Sequence, residues 1–163
     1  MGVVQSLAAI TPGTVETKVV SSMNFFGTPW YGSGIQPLQD LMASKAYIVE
    51  DNDLIRDNLV GTLTELASVQ TVGYSTTEAD ACYWLGRHPK DWDLLVVDLF
   101  LEQGSGLGVL RKCLQRSAAQ KVVVLSNYAT AEVRNRCLAC GADAIFDKST
   151  ELDLFLDYCT ARH

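Results

Sequence analysis

Three short stretches of this chain, Lys45–Val49, Asp93–Asp98 and Lys121–Ser126, each hold an unbroken apolar run, at 46–49, 94–97 and 122–125, and each run leads into a polar group at its carboxyl end. A strand with one face in water alternates apolar and polar residues. A strand that is apolar throughout has to bury both faces. Runs of four to six such residues are too short for buried helices and suit the inner strands of a parallel sheet.

The segments between and after these runs have the other period. Ile55, Leu59, Leu63 and Leu66 follow at spacings of four, four and three, which predicts a helix. Val69–Tyr74 reads as a second strand. Thr76 or Thr77 is placed to cap a helix that runs to about His88 and stops at Pro89. The Gly-rich loop Gln103–Gly106 leads into a helix carrying Leu107, Leu110, Cys113 and Leu114. A further helix carries Val133, Cys137 and Cys140, with Gly141 as its terminating glycine. Ala144–Asp147 reads as a fifth strand, and Thr150 as the cap of a last helix with Leu152, Phe155, Leu156 and Cys159. Five strands thus alternate with five helices. The right-handed crossover rule turns that order into an α/β flavodoxin-like doubly wound fold, (βα)5, with parallel sheet order 2-1-3-4-5.

The chain has 163 residues, of which 48% are hydrophobic, enough for a packed core without covalent staples. It divides near residue 44 into an N-terminal extension, 1–44, and a domain, 45–163. The extension lacks a sustained period and holds Gly13, Gly27, Gly32, Gly34, Pro12, Pro29 and Pro37. Its aromatic run Phe25, Phe26, Trp30 and Tyr31 suggests a docking segment. A flexible tail and an upstream start ahead of Met42 are the other readings. Val3–Ile10 has no basic lead, so a secretory signal is not expected, while Met1-Gly2…Ser6 fits a short acylation pattern. No stretch approaches the ~18–20 apolar residues of a membrane span. The net charge of −6 argues against direct nucleic-acid binding, which needs Lys and Arg to displace counterions. The five cysteines, Cys82, Cys113, Cys137, Cys140 and Cys159, sit in apolar helical patterns and read as reduced core thiols of a cytoplasmic protein. Cys137 and Cys140 form a C-x-x-C at the end of a helix, whereas low-pKa pairs exploit a helix start.

The chemistry gathers where such sheets bind ligands, outside the carboxyl ends of the strands. Glu50 and Asp51 end the first strand, Asp98 the third and Ser126 the fourth, and Lys148 follows the fifth. Taken singly, each has an ordinary use as a turn former, helix cap or solvated loop residue. Together they place three carboxylates, a hydroxyl and an ammonium in one crevice. Carboxylates so close raise one another's pKa unless a cation joins them. An open, oxygen-rich site of this kind suits Mg2+, with Mn2+ as an alternative. Asp98 is then an oxygen nucleophile of the aspartyl-phosphate type. Lys148 supplies charge to an incoming phosphoryl group, and the Ser126 hydroxyl donates to it.

Ile48-Val49-Glu50-Asp51-Asn52 with Arg56, Asp98-Leu99 followed by Gly106, Leu125-Ser126, and Gly141-Ala142-Asp143 leading to Lys148 resemble the receiver domain of bacterial two-component response regulators over about residues 45–161. The resemblance implies that Asp98 is the phospho-acceptor and that Asp51 binds Mg2+ directly. Glu50 would act mainly through water, and Phe100 would offer its backbone carbonyl. Ser126 would be the switch hydroxyl and Lys148 the phosphate partner. The donor would be a histidine kinase or histidine phosphotransfer protein, since His88 and His163 lie away from the crevice. Output would pass through the fourth helix, fifth strand and fifth helix to a protein target, or through a phosphorylation-linked homodimer. The chain stops at His163, after the fifth helix, which fits a stand-alone receiver; a receiver fragment of a larger DNA-binding regulator is the alternative. A metal-dependent phosphohydrolase would need an acid where Phe100 stands.

Three positions depart from the family's pattern. Ile145 stands where an aromatic switch residue is common, with Phe146 on the opposite side of the strand. Ser149 follows the lysine in place of a cis proline. Glu102 replaces a common loop proline. The first two put the transmission of a phosphorylation signal in question more than its acceptance.

Overall fold

The computed structural model describes residues 22–23, 29–30 and 43–161. The chain divides into two units, Met1–Leu38 and Gln39–His163. In the first, Ser22–Met23 pairs antiparallel with Pro29–Trp30. The side chains of the aromatic run, the acylation pattern and the Val3–Ile10 stretch lie outside the described residues. Among the described residues no helix is long and apolar enough to cross a membrane.

The second unit is built of β1 (Lys45–Val49), α1 (Asp53–Ala67), β2 (Gln70–Ser75), α2 (Glu78–Arg87), β3 (Leu94–Val97), α3 (Gly106–Lys112), β4 (Lys121–Ser126), α4 (Ala131–Ala139), β5 (Ala144–Asp147) and α5 (Leu152–Thr160). All strand pairs are parallel, in the order β2-β1-β3-β4-β5. This is the doubly wound arrangement expected from the apolar runs.

The reason is visible in the packing. Ala46 and Ile48 of β1, Leu94 and Val96 of β3, and Val123 and Leu125 of β4 face Leu59 and Leu63 of α1 and Phe155 of α5. Their neighbours Tyr47, Val49, Leu95, Val97, Val122 and Val124 face Ala81 and Leu85 of α2, Val109 and Leu110 of α3, and Cys137 of α4. Consecutive residues thus enter opposite layers, each fully covered by helices. Burying one such Leu, Val or Phe stabilises the fold by about 1.5–3 kcal/mol. In the layer with α2, the Tyr47 ring stacks on Trp84 at 3.8 Å, and Trp84 stacks on His88 at 4.4 Å.

Sheet edges and helix ends depart from the expectations. β2 begins one residue later, at Gln70, because an edge strand pairs on one side only and its residues are half-buried rather than continuously apolar. Its exposed Tyr74 ring lies under the Arg56 guanidinium at 4.1 Å. Leu66 is 65% exposed and outside the core, against its place in the helical spacing. The buried stripe of α1 drifts instead toward Val60 and Ala67. α3 ends at Lys112, before Cys113 and Leu114, and Leu114 is exposed. Thr77 caps α2 as expected, accepting from Asp80 N–H at 3.1 Å. Thr150 does not cap α5: Glu151 holds that position, with its carboxylate drawn elsewhere. Gly141 does close α4, with φ +96.

All five cysteines are free thiols. Burial pushes Cys113 up to about 11 and Cys159 up to about 12, and it raises Cys137 as well. A thiol in that state holds little of the reactive thiolate. At pH 8 these three should resist iodoacetamide in the folded protein and react fully after unfolding, as peptide mass mapping would show. Fast native alkylation of Cys137 would restore a redox role for the C-x-x-C.

Candidate functional site

At the carboxyl end of β1, the chain leaves the sheet through Glu50, Asp51 and Asn52. Strand order reverses here, because β1 lies between β2 and β3, and the divergence of the following connections opens a crevice. Asn52 caps α1 by accepting from Ile55 N–H at 3.1 Å. Asp98 follows β3, and its own N–H donates to the Val49 carbonyl at 2.9 Å, so both acidic segments are fixed to the same strand end.

One carboxylate oxygen from each of Glu50, Asp51 and Asp98 lies within 4.8 Å of the others. Glu50 is 3% exposed and Asp98 9%. Lys148, reaching in from the end of β5, donates from Nζ to Glu50 Oε2 at 2.6 Å and to Asp98 Oδ2 at 3.0 Å. Burial pushes the Glu50 carboxyl above its ordinary range, even against the Lys148 hydrogen bond and charge, and the nearby Asp98 adds to the rise. A single ammonium therefore does not satisfy the cluster. A hard divalent cation with oxygen ligands fits this donor set.

Ser126, fully buried at the end of β4, accepts from Tyr128 N–H at 3.4 Å, and its carbonyl accepts from Lys148 N–H at 3.1 Å. Phe100 N–H donates to Asp98 Oδ1 at 3.4 Å, while the Phe100 ring stands exposed. Ile145 enters the core layer shared with α4, and Phe146 the opposite layer with Phe155 and Tyr158. The peptide bonds of the described residues are trans, including the one after Lys148. Asp147 organises that turn by accepting from the N–H groups of Ser149 and Thr150 at 2.9 and 3.2 Å.

Three contributions were not legible from residue types. The first is the backbone N–H of Glu102, which donates to Asp51 Oδ2 at 2.6 Å. A proline there would have no N–H to give, so this departure fixes a carboxylate of the site. The second is Tyr128, whose ring meets that of Phe100 edge-on at 5.1 Å. Its position two residues after Ser126 was the only available signal. The third is Glu78 of α2, whose Oε2 accepts from Ser105 N–H at 2.8 Å and holds the loop after Asp98.

A model of the response regulator receiver domain family matches residues 46–159. Response regulator GacA of Pseudomonas aeruginosa is 28% identical over 109 residues, 67% of this chain and 50% of that protein. A cyclic di-GMP phosphodiesterase of Thermotoga maritima is 28% identical over 107 residues, 66% of this chain and 27% of that protein. The chain thus spans half or less of the curated relatives it matches. The response regulator domain of Thermotoga maritima CheB superposes with a TM-score of 0.64 at 15% identity, covering 74% of this chain and 96% of that one. The receiver domain of a NarL-type regulator from Mycobacterium tuberculosis gives 0.62 at 20% identity, covering 74% and 98%. These two likenesses support the fold.

Proposed function

This chain belongs to the response regulator receiver domain family, and from that premise we propose that it accepts a phosphoryl group on Asp98 from a histidine kinase or histidine phosphotransfer protein. The observation that carries the reading is the Lys148 ammonium bonded to both Glu50 and Asp98 beside a third carboxylate, Asp51. In the transfer, an Asp98 carboxylate oxygen forms a bond to phosphorus as the bond from phosphorus to the donor nitrogen breaks. The donor imidazole leaves with that electron pair and takes up a proton.

Glu50, Asp51, Asp98 and the Phe100 backbone carbonyl would hold Mg2+, or Mn2+ in its place. When bound, the ion supplies positive charge to the phosphoryl oxygens. Lys148 turns from Glu50 toward the same oxygens. Ser126 gives up its bond from Tyr128 N–H and donates its hydroxyl. The protein acts as a signalling acceptor rather than as an enzyme on a separate substrate. Residues 45–163 form the receiver and 1–44 an extension. The setting is cytoplasmic, and the output passes through α4, β5 and α5 to a protein target or a phosphorylation-linked homodimer.

A second reading, a receiver portion of a larger DNA-binding regulator, is favoured by one observation: the chain spans only part of its relatives.

The test is incubation of the full chain with a small acyl phosphate and Mg2+. One acid-stable, hydroxylamine-sensitive phosphoryl group per chain is expected, and none with excess chelator. Label that resists hydroxylamine, or forms equally without a divalent ion, would overturn the reading.

A further inference from the structure

Arg134 of α4 spreads its guanidinium over three separate segments. Nε donates to the Ala129 carbonyl at 2.8 Å, Nη1 to the Ile145 carbonyl at 2.7 Å, and Nη2 to Glu151 Oε2 at 2.6 Å. The same Glu151 oxygen accepts from Asp147 N–H at 2.8 Å. Ala129 lies three residues after Ser126, and Ile145 three residues before Lys148. One planar group therefore joins the loop of the buried hydroxyl, the edge strand that leads to the lysine, and the start of α5.

We infer that Arg134, with Glu151, is the positioning pair that couples movement of the Ser126 loop to the β5–α5 junction. This rests on the reading of Asp98 as phospho-acceptor. Ser126 is fully buried and holds Tyr128 N–H only at 3.4 Å. Turning that hydroxyl to a group on Asp98 releases the Tyr128 amide, and the carbonyl of the next residue, Ala129, is the one Arg134 grips. The Ile145 side chain is packed into the α4 layer, and its carbonyl moves with the guanidinium. A guanidinium suits this work because its donors sit in one rigid fork, whereas a lysine is a point charge on a flexible stem.

Magnitudes separate this role from simple bracing. The Arg134 and Glu151 side chains are 33% and 28% exposed, and ion pairs open to solvent contribute little to stability. Arg134 holds the Glu151 carboxyl below its usual range, and the Asp147 N–H lowers it further, so the pair stays charged at neutral pH.

The test compares wild type, Arg134→Ala, Arg134→Lys and Glu151→Gln as full chains. Hydroxylamine-sensitive label is measured first. Backbone amide shifts on labelling are then followed at Tyr128 and Ala129 in the loop, and at Asp147, Ser149 and Thr150 in the junction. Label should reach the wild-type level in every variant. Loop shifts should persist, while junction shifts fall to roughly half or less in Arg134→Ala and partly recover in Arg134→Lys. Glu151→Gln, which keeps the volume but removes the charge, should also reduce them. Full label with wild-type junction shifts in Arg134→Ala or Glu151→Gln would overturn the coupling and leave Asp98 as acceptor. Wild type without label would overturn the acceptor reading itself.

Discussion

Replacing Asp98 with alanine should lower acyl-phosphate labelling by roughly 10³-fold or more, equivalent to about 4 kcal/mol of barrier. Neither neighbouring carboxylate can stand in. Asp51 Oδ2 is engaged by Glu102 N–H at 2.6 Å, and Glu50 is engaged by both Lys148 Nζ at 2.6 Å and Asn52 N–H at 3.3 Å. The variant should fold. It removes one of two carboxylates paired with Lys148, and so leaves Lys148 and Glu50 as a matched pair. It also removes a charge that raises the Glu50 pKa. The thermal midpoint should therefore stay within a few degrees of wild type. Hydroxylamine-sensitive label retained at the wild-type level in Asp98→Ala would place the acceptor elsewhere.

The second large effect concerns folding. A Cβ built on Gly106 would sit 2.1 Å from the Asp98 carbonyl oxygen and 2.8 Å from Leu99 Cα. Both are backbone atoms of the segment that presents the acceptor, and Gly106 N–H is bonded to the Leu99 carbonyl at 3.1 Å. Neither side can yield without displacing Asp98 or α3. Overpacking of this kind costs about 3 kcal/mol, so Gly106→Ala should lower the thermal midpoint by roughly 10 °C. Two other glycines provide the contrast. At Gly108 the added methyl would meet only the carboxylate end of the Glu78 side chain, which can move aside at the loss of its bond from Ser105 N–H. At Gly61 nothing lies within 4 Å, and alanine there should stabilise α1 by about 0.5–1 kcal/mol. A Gly106→Ala protein as stable as wild type would mean the close approach is not rigid.

The same residues show what a sequence can disclose. β1 and β4 coincide to the residue with the stretches around their apolar runs, because burial on both faces leaves no room for polar alternation. β2 lay one residue off, since an edge strand carries a weaker pattern. Glu50, Asp51, Asp98, Ser126 and Lys148 could be placed in one crevice because topology alone brings strand ends together. The bridging of Glu50 and Asp98 by one ammonium could not, because it depends on side-chain reach across 98 and 50 residues of sequence. The cap of α5 was misread for a related reason. Glu151 is drawn off by Arg134, eleven residues from Ile145 and seventeen from Glu151 itself, and no local motif announces such a contact.

The contacts of Arg56 and Arg134 also bear on how this sheet ends. An edge strand offers unpaired backbone groups to any passing chain and invites strand-by-strand aggregation. Here an arginine lies against each edge strand, its charge already paired, Arg56 with Asp53 and Asp57 and Arg134 with Glu151. Arg56 lies on the outward Tyr74 ring of β2, and Arg134 already occupies the Ile145 carbonyl of β5. A second copy approaching β5 meets a carbonyl that is already taken. Intermolecular β-pairing along β5 is thereby discouraged.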